Sequence, residues 1–226
     1  ESDIEYQVRD LLENPNPTAA IYCKTGECEI RITARARSDE DGEKMCRAYA
    51  KKFYDMLGDA VYDEDVAGLE ETVVHTLQEK GLTIATAESC TGGRVAERLT
   101  ALPGASQVYR GGVVSYWTQV KADVLGVSQA LLEEHGAVSA ETARAMAEGA
   151  RRITGADIAV SVTGVAGPDP DERGVPVGIV YIGLATPDGT FCRKMDSGRR
   201  RRDRIRGLAT NHAFDLIRRY LTGLPI

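Results

Sequence analysis

No apolar run in this 226-residue chain approaches the ~20 residues that span a bilayer, and no signal peptide or lipidation motif is visible in it. Nothing in these residues therefore points to a membrane-spanning helix. Cysteine is sparse and irregular: the five residues Cys23, Cys28, Cys46, Cys90 and Cys192 are odd in number and share no Cys-x-x-Cys or Cys/His spacing, which argues against a disulfide framework or a zinc site. A cytoplasmic protein without a metal or other cofactor is the expectation. Net positive charge is also missing. At −6 the chain is not a general binder of nucleic acid or anionic membrane, although Arg199-Arg-Arg-Arg202-Asp-Arg204-Ile-Arg206 is a concentrated exception. There is no internal repeat and no low-complexity tract. An initiating Met is absent too; the chain opens on Glu1-Ser2-Asp3 and runs into the amphipathic Ile4…Val8…Leu11-Leu12, as expected of a piece of a longer protein.

A hydrophobic fraction of 42% and a charged fraction of 27% are those of a globular protein with a sizeable core. Residues 1–65 read as a small α+β unit. Ala19–Cys23 and Glu29–Ala34 flank the turn signal Lys24-Thr25-Gly26 and predict a hairpin. Ser38 is placed to cap a helix whose apolar face is Met45, Tyr49, Phe53, Met56 and Leu57, with Gly58 closing it and Ala60–Tyr62 adding a strand. From residue 68 helices and strands alternate, so residues 66–226 form a second domain. Helical patterns at Leu69–Leu77, Arg94–Leu102, Trp117–Leu125, Ala140–Ile153 and Ile205–Leu221 separate strand patterns at Leu82–Ala87, Gly112–Tyr116, Asp157–Val162 and Gly178–Ala185. Continuous apolar strands between amphipathic helices predict a three-layer α/β/α sandwich, with ligands held at strand ends.

Three polar, glycine-bearing segments fall at such ends: Glu88-Ser89-Cys90-Thr91-Gly92-Gly93, Tyr116-Trp-Thr-Gln-Val-Lys121 and Ser161-Val-Thr163-Gly164-Val-Ala-Gly167-Pro168. A strand that stops at Ser89 and restarts as a helix at Arg94 sets a hydroxyl beside unpaired helix amides, where developing negative charge is stabilised. Thr91 could equally be no more than a helix cap. A serine becomes a nucleophile only when a base takes its proton, and a lysine serves as that base only when burial or positive neighbours depress its pKa. Lys121 is a candidate. His75 within the first helix of this domain, His135 in a Glu-Glu-His-Gly turn and His212 in the last helix are rivals that read better as surface or helix-end residues.

The ordered motifs Thr86-Ala-Glu-Ser-Cys-Thr-Gly-Gly93, Pro103-Gly-Ala-Ser106, Gly111-Gly-Val-Val-Ser-Tyr116, Lys121, His135-Gly-Ala-Val-Ser139, Thr163-Gly-Val-Ala-Gly-Pro168 and Pro176-Val-Gly178 closely resemble the C-terminal domain of the CinA family over residues 68–222. Residues 1–65 resemble the small KH-type domain that precedes it, after a larger molybdopterin-binding-like domain in full-length members. The resemblance implies an amidohydrolase that converts nicotinamide mononucleotide to nicotinate mononucleotide and ammonia. It implies Ser89 as nucleophile, Lys121 as base, and Tyr116, Thr163 and the adjoining Gly164 as polar parts of the same site. Amides near Gly92-Gly93 or Gly111-Gly112 would then hold the oxyanion, and Arg202 or Arg206 would reach the nucleotide phosphate. The arginine stretch departs from the usual Gly-Asp pattern of the family, with Gly198 displaced upstream, so the choice between the two stays open. No Gly-x-x-Gly occurs in residues 1–65, which argues against RNA binding by the KH-like unit and favours a spacer or a contact within a homodimer. A non-catalytic nucleotide-binding adaptor is the alternative reading, and it gives no reason to keep Ser89, Tyr116, Lys121 and Thr163 together.

Overall fold

The computed structural model describes residues 2–226, which divide into two compact units at Asp65/Val66. The first contains α1 (Ser2–Leu12), β1 (Thr18–Lys24), β2 (Glu27–Thr33) and α2 (Asp39–Leu57). β1 and β2 pair antiparallel from Thr18↔Thr33 to Lys24↔Glu27, closed by a Thr25-Gly26 turn in which Gly26 takes φ 80°, a value that suits glycine. The Ser38 hydroxyl accepts from the Asp41 amide at 3.2 Å and starts α2. Val8, Tyr49 and Phe53 form a small core with Ile21, Ile30 and Ile32 around it, and the Tyr49 hydroxyl donates to the Leu11 carbonyl at 2.7 Å. The expected strand at Ala60–Tyr62 is not formed. Gly58–Ala60 is instead a single 3-10 turn, and Tyr62 meets β2 through its side chain, the hydroxyl donating to Glu27 Oε2 at 2.7 Å.

The second unit runs α3 (Leu69–Lys80), β3 (Ile84–Glu88), α4 (Arg94–Thr100), β4 (Tyr109–Val114), α5 (Thr118–Asp123), α6 (Gln129–His135), α7 (Ala140–Thr154), β5 (Ile158–Gly164), β6 (Ile179–Thr186), β7 (Gly189–Asp196) and α8 (Arg202–Thr222). The sheet order is β4-β3-β5-β6-β7. β4, β3 and β5 are parallel, whereas β6 and β7 are added antiparallel. α7 packs on one face across all five strands; α8, with α3 and α4 beside it, covers the other. This is the expected three-layer α/β/α sandwich.

Two elements were not foreseen. β7 lies at the sheet edge with most of its side chains half-exposed, and its Arg193-Lys194 pair hides the strand period. α6 has only seven residues, too few for a helical repeat to show, and begins where Ser128 accepts from the Leu131 amide. β4 starts at Tyr109, earlier than expected, because the edge strand alternates half-buried and exposed residues.

Close contact between layers depends on small residues. α7 buries Ala143, Ala147 and Ala150 completely, and a Cβ on Gly183 of β6 would stand 2.4 Å from the Ala143 carbonyl oxygen, so only glycine fits there. Register then sets the position of the site. Glu88 pairs with Val114 on one side and Val162 on the other, the Ser89 amide donates to the Val162 carbonyl at 2.8 Å, and the Ser115 amide donates to the Glu88 carbonyl at 2.7 Å. Three parallel strands therefore end side by side, at Ser115, Ser89 and Thr163. None of the described helices is long and apolar enough to cross a membrane.

Candidate active site

Ser89 leaves β3 in a tight turn, which is closed by the Gly92 amide donating to the Ser89 carbonyl at 3.0 Å. Gly92 and Gly93 follow at φ 62° and 96°, values that bulkier residues avoid and that let α4 begin at once. Gly93 has no side chain with which to cap α4. Glu88 does it from the strand: its Oε2 accepts from the Gly93 and Val95 amides at 3.0 and 3.1 Å, and its Oε1 from Ala96 at 2.9 Å. A carboxylate that is only 1% exposed thus satisfies three orphan donors and meets the positive end of the helix. Sequence reasoning overlooked Glu88. A carboxylate at a strand end ahead of a helix start with no capping side chain is the signal that would have found it. Glu88→Ala should lower unfolding free energy by about 3 kcal/mol, since it buries amides without partners, whereas Glu88→Gln, which keeps one acceptor, should lose about half of that in urea denaturation.

Lys121 reaches the same place from α5. It is 1% exposed, and its Nζ lies 2.6 Å from the Ser115 carbonyl oxygen and 3.2 Å from Ser89 Oγ. No carboxylate pairs with it among the described residues. Burial without a counter-charge disfavours the ammonium, and the Lys121 pKa is lowered to about 8. In the neutral amine, one N–H is held by Ser115 and the lone pair is free to accept the Ser89 proton. None of the three histidines bonds to this pair. His75 lies beside Glu71, His135 lies beside Glu134 and Glu141, and His212 is held in α8.

Adjacent Cys90 is buried, and burial pushes its thiol up to about 12, so at neutral pH it is an inert core thiol. Two more hydroxyls, Thr91 Oγ1 in the turn and Ser115 Oγ just after β4, are buried without a hydrogen-bond partner among the described residues. Thr91 is therefore not the helix cap.

The other residues named from sequence divide. Tyr116 is 60% exposed beside the site; its hydroxyl accepts from Arg202, at 2.7 Å, and makes no hydrogen bond to Ser89 or Lys121. Arg202 also donates to the Gly167 carbonyl at 2.6 Å, which brings the loop after β5 and the start of α8 together with Tyr116. Arg206 has a different environment: its Nε donates to the Cys90 carbonyl at 3.0 Å and its Nη2 to the Thr91 carbonyl at 2.7 Å. Thr163 is buried, with its hydroxyl committed to the Ala137 carbonyl at 2.7 Å. Gly164 pairs with Val180, and a Cβ there would come within 2.7 Å of the Ile179 carbonyl oxygen, which makes it a packing glycine.

Two oxyanion assignments need correction. Gly112 stands opposite Thr86 inside the sheet, away from the strand end, where a Cβ would fall 2.0 Å from Thr86 Oγ1. The Gly93 amide is bonded to Glu88 and the Gly92 amide to the Ser89 carbonyl. The Thr91 amide, in contrast, has no partner among the described residues, and the Cys90 amide meets only its own thiol.

A strand-end serine hydrogen-bonded to a buried lysine thus stands where the parallel strands of a mixed α/β/α sheet end. The chain belongs to the CinA family: the family model of the CinA C-terminal domain matches residues 66–221, and that of the damage-inducible protein CinA KH domain matches residues 1–62. It is 47% identical over 227 residues to a competence-damage inducible protein of Caldanaerobacter subterraneus subsp. tengcongensis, covering 100% of this chain and 54% of that protein. A CinA-like protein of Dictyoglomus turgidum is 44% identical over 226 residues, with 99% and 54% covered. The chain thus spans about half the length of the curated relatives it matches. Among solved structures it resembles a competence/damage inducible protein from Agrobacterium tumefaciens, with TM-score 0.66 and 36% identity over 72% of this chain and 98% of that one. It also resembles a CinA superfamily protein from Escherichia coli, with TM-score 0.64 and 29% identity over 72% and 97%.

Proposed function

We propose that the second unit is an amidohydrolase that converts nicotinamide mononucleotide and water to nicotinate mononucleotide and ammonia. The observation that carries this reading is the buried, unpaired Lys121 hydrogen-bonded to Ser89. A binding module gains nothing from a lysine held near neutrality beside a serine hydroxyl.

In the proposed reaction, neutral Lys121 takes the Ser89 proton as Oγ attacks the carboxamide carbon. The tetrahedral oxyanion is held by the Thr91 amide within the Ser89–Gly92 turn, and one such donor is typically worth about 3 kcal/mol. The lysine then passes its proton to the departing nitrogen, the C–N bond breaks and ammonia leaves an acyl ester on Ser89. Water, deprotonated by the same amine, hydrolyses that ester and regenerates both groups.

Tyr116 and Arg202 form the rim where the nucleotide enters, and Arg202, exposed at the head of α8, is the phosphate contact. Arg202→Ala should raise KM for the mononucleotide about tenfold, the worth of one charge-assisted contact, and leave cleavage of the phosphate-free riboside unchanged. Equal effects on both substrates would remove Arg202 from phosphate binding. The reading as a whole is tested by supplying nicotinamide mononucleotide to the purified protein: ammonia and nicotinate mononucleotide should appear in equal amounts, and failure to form either sinks it. A cytoplasmic homodimer within a longer polypeptide that opens with a molybdopterin-binding-like domain completes the proposal.

A further inference from the structure

We infer that Arg206 is a positioning residue for the oxyanion donor, an inference that rests on the amidohydrolase reading above. A peptide unit is planar and trans, so fixing its carbonyl fixes the N–H on its opposite side. The Cys90 carbonyl, gripped by Arg206 Nε, belongs to the same peptide plane as the Thr91 amide. That amide therefore points away from the guanidinium, and no described residue accepts from it. The next plane is fixed at both ends, with the Thr91 carbonyl on Arg206 Nη2 and the Gly92 amide on the Ser89 carbonyl.

The Thr91 amide is two residues beyond the nucleophile, in the turn closed by the Gly92 amide on the Ser89 carbonyl, and it is the donor left free there for the substrate oxygen that becomes the oxyanion when Ser89 Oγ attacks. The guanidinium acts a second way, because positive charge on a carbonyl oxygen polarises the peptide and strengthens the N–H opposite. A Cβ built on Gly92 would approach Arg206 Nη2 at 3.3 Å, so the glycine leaves room for the guanidinium to lie along the turn.

Arg206 and Arg202, one helical turn apart on α8, accordingly divide the work: Arg202 faces the rim, and Arg206 holds the turn behind the nucleophile. The two roles give different kinetics. A phosphate ligand affects KM and only the phosphorylated substrate, whereas a group that aims an oxyanion donor affects kcat and every acyl substrate alike.

The experiment compares wild type, Arg206→Met, Arg206→Lys and Arg206→Ala on nicotinamide mononucleotide, nicotinamide riboside and p-nitrophenyl acetate. Arg206→Met should lose about 10- to 100-fold in kcat on the mononucleotide with KM little changed, and by a similar factor on the riboside and on the ester. Methylguanidinium should restore part of the Arg206→Ala rate, which a folding defect would not allow. Arg206→Lys, which keeps charge but not the fork, should fall between. Loss confined to KM for the mononucleotide, or ester rates equal to wild type, overturns the inference. Wild type that cleaves the ester but not the nucleotide overturns the nucleotide reading alone.

Discussion

Ser89→Ala should abolish ammonia release from nicotinamide mononucleotide, by about 10⁴-fold or more, since loss of the attacking atom removes the covalent route altogether. Cys90→Ala should keep most of the activity. The two residues are adjacent and both carry plausible nucleophiles, but they leave the strand in different environments. Ser89 Oγ has a basic nitrogen 3.2 Å away, whereas the Cys90 thiol is buried and pushed up to about 12. Rapid inactivation by a thiol reagent, prevented in Cys90→Ala, would reverse the assignment.

Replacement of the base should be nearly as severe. Lys121→Arg is expected to lose about 10³-fold, within the span of general-base contributions, because arginine keeps its proton at any working pH. Wild-type kcat/KM should rise with pH along a single ionisation near 8, since only the neutral amine accepts the serine proton and burial has lowered the Lys121 pKa to about 8 from its ordinary 10.5. A limb near 10.5, or Lys121→Arg turnover within tenfold of wild type, would remove the lysine from the mechanism. Stability should carry the same ionisation. Between about 8 and 10.5 the unfolded lysine binds a proton that the folded one has released, so stability rises with pH across that window.

Much of this was legible in the residues. Apolar runs such as Ile158–Val162 and Ile179–Ala185 are short and rich in β-branched residues, as strands covered on both faces are, and Gly81, Gly155 and Gly223 each end a helix in the left-handed conformation. Ser89, Lys121 and Tyr116 stood out as polar groups at strand ends. What sequence could not show was which side chains spend their polar atoms on the fold. Thr163 gives its hydroxyl to the Ala137 carbonyl and Arg206 its fork to two carbonyls of the nucleophile turn; partners 26 and more than 100 positions away leave no local pattern. Gly112 resembled an oxyanion glycine because Gly111-Gly112 lies near a strand end in sequence, yet β4 begins early enough to carry Gly112 inside the sheet against Thr86. Glu88 was overshadowed by its neighbour: attention goes to the candidate nucleophile, although a carboxylate at a strand end ahead of a helix start without a capping side chain is the pattern of the cap that its three amides confirm.

The most direct measurement is to trap the intermediate. Wild-type protein mixed with nicotinamide mononucleotide and quenched in acid within the first turnovers should yield a peptide in which Ser89 carries the nicotinoyl-nucleotide ester, and no such adduct should form in Ser89→Ala. An adduct on Cys90, or full ammonia release from Ser89→Ala, would contradict the account.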